Sequence, residues 1–197
     1  MAEWTVSTNL ISFAPAFADP PLFGWPTDGP EAQVVAKIEP GDEIVPKFSQ
    51  APGFGADGQE EYQRLICEGL ELDFDVLVKH YNDTIKWGLG AVPFIWRVTK
   101  RDADVSGLPN PWEAVTIERD DLEYPLSTQE FLRLRAVPTK LARQFKAMAA
   151  PGRRIQPLDP GTVAEIRRWG RPPRPRGGAA ALVGRLGRVG SGGGRAT

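Results

Sequence analysis

Ala91 to Thr99 reads AVPFIWRVT, and Trp112 to Glu118 (WEAVTIE) gives a second run rich in β-branched and aromatic side chains. Such runs fit a pleated, half-buried surface and need partner strands, so this chain must build a sheet. Two more strands are expected earlier, at Trp4–Leu10 and Asp42–Phe48, and a short last one at Arg153–Leu158. In Asp42–Phe48, Ile44, Pro46 and Phe48 alternate with Val45 and Lys47, and Pro46 suggests an edge or a bulge.

Helical signals fall between these strands. Pro30 opens a helix to about Ile38 that Pro40-Gly41 stops, and another covers Gln59 to Glu68. Residues 70–88 fit both periods: Leu70, Leu72, Phe74, Val76 and Val78 alternate, while Phe74, Leu77, Val78, Tyr81 and Ile85 keep helical spacing. Asp73 as a cap and Gly88 as a stop favour the helix. Ser127 to Glu130 is a capping box opening a helix to Arg135, a further helix spans Thr139–Ala149, and Asp159-Pro160 caps a last one ending near Trp169. Pro15, Pro20, Pro21, Gly24 and Pro26 predict an irregular loop carrying Phe13, Phe17, Phe23 and Trp25, folded back as a lid. The class is mixed α/β, one domain over residues 1–168, with a tail at 169–197 too poor in large apolar residues to order itself.

Charge is distributed unevenly. Eight of the 24 basic residues lie between Arg167 and Arg195, beyond the last acid, Glu165. Residues 1–166 therefore hold 16 basic side chains against 25 acidic ones, about −9. A body this acidic does not sheathe a duplex through its general field, so any nucleic-acid contact needs a local patch, a pocket or the tail. Single copies of Cys67 and His80 exclude an internal disulfide and multi-Cys or multi-His metal centres. No apolar run is long enough to span a bilayer and no secretory leader is visible, so a cytoplasmic, membrane-free chain without metal or cofactor is expected.

Ser7, Thr8 and Asn9, then Phe48, Ser49 and Gln50, place hydroxyl and amide groups at or just beyond strand ends, and Trp25 supplies a ring nearby in sequence. A ring to stack on and fixed polar groups for an edge are what holding one planar heterocycle requires. The competing reading makes Trp25 a core anchor and the polar residues turn formers. Trp87, Trp96 and Trp112 are further cage candidates better explained by packing. Arg97, Lys100 and Arg101 are candidates for phosphate contacts. Arg133, Arg135, Lys140, Arg143 and Lys146 form a second basic set that solvated helix faces explain equally well, and Arg153-Arg154 a third. Asp73, Asp75 and Asp83 do not converge on one helical face, and Gly53, Gly55 and Gly58 lack the Lys-Ser/Thr of a phosphate loop.

Taken in order, WTVSTN (Trp4–Asn9), Trp25 before a helix, EPGDEIVPKFSQ (Glu39–Gln50), AVPFIWRVT, PLSTQEFLRL (Pro125–Leu134) and GRRIQPLDPGTVAEI (Gly152–Ile166) resemble the EVE domain, a PUA-like family related to the YTH and ASCH domains. PTDGPEAQ after Trp25 departs from the Gly-Val-Arg-Asn signature of many members, and residues 51–90 are an insertion relative to the smallest. The resemblance implies a small curved β-barrel of five to six strands surrounded by helices. It also implies a non-enzymatic reader of a modified base, such as 5-methylcytosine, 5-hydroxymethylcytosine or N6-methyladenine, in DNA or RNA. Prokaryotic members accompany restriction or other defence systems, with catalysis left to a partner nuclease or ATPase. On this reading Trp25 stacks on a flipped base, Phe48 takes the other face, Ser7, Asn9, Ser49 and Gln50 bond its edge, and Thr8 lines the same pocket. Arg97, Lys100 or Arg101 would hold a phosphate. The alternatives are an ASCH-like ribonuclease using a Lys with a Tyr or His80, and a protein-interaction domain.

Overall fold

The computed structural model describes residues 1–8, 13–48, 59–85, 92–126, 143 and 155–169. The expected helices at 127–135 and 139–149 (Arg143 apart), the Gly53–Gly58 loop, Trp87, Arg153, Arg154 and the tail from Gly170 lie outside these residues.

Six strands form one sheet: β1 (Glu3–Thr8), β2 (Leu22–Pro26), β3 (Glu43–Phe48), β4 (Val92–Lys100), β5 (Trp112–Leu126) and β6 (Ile155–Pro157). Their spatial order is β2-β5-β4-β3-β1-β6. Only the β1–β3 pair is parallel among the described pairings; the others run antiparallel. The sheet is curled. Register shifts between Val92 and Phe94, and again between Val98 and Lys100, put an irregularity at each end of β4, where extra residues bend a strand and raise its twist. The helices are α1 (Ala32–Val35), α2 (Gln59–Gly69), α3 (Phe74–Ile85) and α4 (Thr162–Trp169), with a 3-10 turn at Ala14–Phe17. The architecture is mixed α/β, as expected.

Both faces of the sheet are buried, which explains the unbroken apolar run Phe94-Ile95-Trp96. Phe94, Trp96 and Val98 join Val6, Ile44, Phe13 and Phe23 in the larger core cluster, with Val35 of α1, Ile66 and Cys67 of α2, and Leu77 and Tyr81 of α3. Ile95, Val92 and Val45 face the other way, into a smaller cluster with Leu158, Val163 and Ile166 under α4. Residues 74–85 are helical, and Asp73 caps the helix by accepting the Val76 N–H at 3.0 Å.

Three expectations are corrected. Pro46 lies in an interior strand, tolerated because the β3–β4 ladder is carried at Glu43–Arg97 and Ile44–Trp96, before the proline is reached. β5 continues through the charged stretch after Glu118, where Arg119 bonds Asp121 at 2.7 Å. The loop before α1 contains a true strand, β2, which covers the first part of β5. α4 starts after Asp159-Pro160 as expected, with the Thr162 N–H donating to the Asp159 carbonyl at 3.2 Å. Glu3 of β1 adds a second hold, its carboxylate accepting the Gly161 and Val163 N–H groups, both at 2.8 Å. That acceptor comes from far away in sequence and so left no local signal.

Candidate functional site

β1 and β3 run parallel, so their carboxyl ends meet at one rim of the sheet. Ser7 pairs with Lys47 and Thr8 with Phe48. Segments forty residues apart are thereby brought side by side. Asn9, Ser49 and Gln50, which continue these strands in sequence, lie outside the described residues. Ser7 and Lys47 are each half-buried, on strands whose inner residues Thr5 and Val45 are closed off from solvent. The Thr5 hydroxyl donates to the Val45 carbonyl at 3.0 Å and locks the two strands just below the rim.

In sequence Lys47 is only one of the alternating strand positions. Burial pushes its ammonium below the ordinary lysine value. No local pattern marks it, because its setting depends on the parallel partner strand. A ligand lying over the carboxyl ends of parallel strands can touch both faces of a sheet, since successive side chains alternate. Ser7 and Lys47 offer there a hydroxyl and a cation.

The remaining predicted residues are elsewhere. Arg97 is level with Glu43, so it sits five residues, roughly 16 Å at about 3.3 Å per residue, from the Phe48 row. Lys100 and Arg101 lie further in the same direction, because β4 runs against β3. Arg97 is exposed and leans on Glu43 at 3.9 Å. Arg101 is a structural pin. Its guanidinium donates to the Ala36 carbonyl at 2.6 Å, the Ile38 carbonyl at 3.2 Å, Glu39 at 3.1 Å and Glu113 at 3.0 Å. It fastens the end of α1 to β5.

Trp25 is corrected most sharply. It is a strand residue opposite Glu113, next to the Pro26–Trp112 pair, and therefore at the Lys100 end of the sheet. It is 6% exposed and belongs to the larger core cluster. Neither face of its indole is presented to a ligand. Trp96 and Trp112 are core as well, at 0% and 6%. His80 is exposed on α3 and stacks on Phe17, with ring centroids 5.9 Å apart and planes 17° from parallel.

No family model and no curated protein matches the chain. Solved structures with similarity include Rpa0253 from Rhodopseudomonas palustris, determined by NMR, at 11% identity and a TM-score of 0.42. The crystal structure of Atu2648 from Agrobacterium tumefaciens is similar at 14% identity and a TM-score of 0.46. Each comparison covers 86% of this chain and 93% of the other.

Proposed function

We propose that this chain is a PUA-like, EVE-type binding module that takes a single modified nucleobase at the rim formed by β1 and β3. The observation that supports this is the parallel register, which sets Ser7 and Thr8 beside Lys47 and Phe48. Phe48 is the ring assigned to stacking, a role moved from Trp25. Ser7 and Thr8, continued by Asn9, Ser49 and Gln50, are assigned to the polar edge of the base. Stacking on one ring contributes roughly 1–3 kcal/mol, comparable with the few kcal/mol that extruding a base costs. Edge hydrogen bonds then decide whether binding is net favourable. In this reading the chain binds and reports, and a partner nuclease or ATPase acts.

The test is titration of DNA and RNA oligonucleotides bearing cytosine, 5-methylcytosine, 5-hydroxymethylcytosine or N6-methyladenine against the wild type and a Thr8→Ala, Phe48→Ala double variant. One modified oligonucleotide should bind tighter, and the double variant should lose that preference. Equal affinity for every oligonucleotide in the wild type ends the proposal.

One observation favours a second reading. A lysine with a depressed pKa is what general-base chemistry near neutrality needs, and burial moves Lys47 in that direction. An ASCH-like ribonuclease would show cleavage of labelled RNA that Lys47→Met abolishes; intact RNA after prolonged incubation removes this alternative. His80, the expected partner, is instead stacked on Phe17.

A further inference from the structure

We infer that the outer edge of β5 beyond Ile117 is a docking site for this chain's own basic C-terminal segment, with residues 181–189 adding there as a further strand. The inference does not depend on the reading of the β1–β3 rim.

β5 outruns its neighbour. β2 pairs with it only as far as Thr116, and the last bond on that side is the Ile117 N–H donating to the Pro21 carbonyl at 3.0 Å. Pro20 and Pro21 keep β2 from starting earlier, since neither can donate to a ladder. On its other side β5 stays paired with β4 through Asp121 and again at Leu126. The stretch after Ile117 is therefore held extended from one side, while among the described residues no strand lies on the other. Such an edge presents unpaired backbone donors and acceptors, the template for an added strand.

Charge selects the occupant. Glu118, Arg119, Asp120, Asp121 and Glu123 are all exposed. Arg119 is bonded to Asp121 at 2.7 Å, while Glu118 and Glu123 enter no ion pair among the described residues. Side chains alternate along a strand, so these two carboxylates stand on opposite faces of the sheet. A second copy of the same edge would set like charges against each other, so the added strand must be basic. The chain supplies one. No acid follows Glu165, and residues 181–189 (ALVGRLGRV) hold no proline and place Arg185 and Arg188 three apart, hence on opposite faces of a strand. The earlier RPPRPR run (Arg171–Arg176) is unsuited, because its prolines lack the N–H that a ladder needs. Position agrees with charge. α4 ends beside β5, where Arg167 bonds Asp120 at 3.0 Å and Trp169 packs against the same cluster as Leu122. Residues 170–180 can span roughly 36 Å at about 3.3 Å each, more than the roughly 26 Å from Glu118 to Leu126. The tether also keeps the segment at a high local concentration, on the order of mM.

The experiment is amide hydrogen exchange, read by NMR on the full chain. The outward-facing amides between Glu118 and Glu123 should exchange roughly tenfold or more slowly in the wild type than in a full-length Arg185→Glu, Arg188→Glu variant. Glu118→Arg with Glu123→Arg should speed exchange in the same way. Combining the two pairs reverses both sets of charges and should restore protection. Thermal melting of each variant confirms that it is folded. Equal exchange in the wild type and the arginine variant overturns the inference, as does a combined variant that recovers no protection. Protection that rises with protein concentration assigns the edge to the tail of another copy, and likewise overturns docking within one chain.

Discussion

Asp42 is the side chain on which the start of the chain depends. Its buried carboxylate accepts three N–H donors: Ala2 at 2.6 Å, the Trp4 indole at 3.1 Å and Glu39 at 3.1 Å. Gly41 before it has φ +91, a left-handed conformation that glycine adopts without strain, and this turn aims Asp42 at its donors. Asp42→Ala strands all three donors, and leaving buried donors unpaired costs about 1–3 kcal/mol each. The expected result in urea unfolding is a lower midpoint with an unchanged slope, by a total of about 2–4 kcal/mol once partial rehydration near Ala2 is allowed for. Cys67 lies at the opposite extreme of reactivity. Burial is the largest cause raising its thiol pKa to about 11, outweighing the nearby Arg64. The thiolate is the nucleophile, so native protein at pH 8 should resist iodoacetamide, while urea-unfolded protein should be alkylated at the rate of an ordinary thiol. Rapid alkylation of the folded chain would mean that the α2 core face opens readily.

At the scale of elements, two contacts hold α2 and α4 in place. Gly69 at the end of α2 lies so close to Gly107, in the β4–β5 connection, that a Cβ on either would collide with the other's backbone carbonyl. Gly107→Ala should therefore push the helix end off the sheet and lower the melting temperature by several degrees, a shift expected from about 1–3 kcal/mol of overpacking in a domain of this size. A serine at neighbouring Leu108 would not test this, since it removes core volume instead. At α4 the Glu3 carboxylate does the capping, so Glu3→Gln, which keeps the shape but loses the charge at a helix start, should cost about 1 kcal/mol by thermal melting. These contacts explain what was legible beforehand. Strand runs such as Phe94-Ile95-Trp96 and the helical spacing of Phe74, Leu77 and Tyr81 are local patterns, and the structure places strands and a helix there. Pairings are not local. The parallel β1–β3 register, the Glu3 cap and the closure of β2 onto β5 each join residues tens to more than a hundred positions apart. No local pattern therefore marks Lys47, and the proline-rich stretch around Trp25 carries no sign of the strand it forms.

For the whole molecule, the proposed site uses only one end of the sheet. At one end Trp25, Trp112 and Arg101 close the core and fasten α1 to β5. At the other, Ser7 and Lys47 remain half-exposed where two parallel strands finish. A ring buried to 6% exposure serves stability, because truncating it opens a cavity in the core. Stability and binding should consequently separate by mutation. Trp25→Ala removes a large buried ring, and such truncations cost about 3–5 kcal/mol, so its melting temperature should fall sharply. Trp25→Phe keeps most of the packing, and at a temperature where that variant is folded its affinity for the preferred oligonucleotide should equal that of the wild type. The Thr8→Ala, Phe48→Ala double variant should show the reverse pattern, losing the preference for one modified oligonucleotide at a temperature where it is folded. Measuring melting and titration on these three proteins under one buffer condition distinguishes the two ends directly. Weakened binding in folded Trp25→Phe, with normal binding in the double variant, would place the ligand at the tryptophan end and reverse the assignment of the rim.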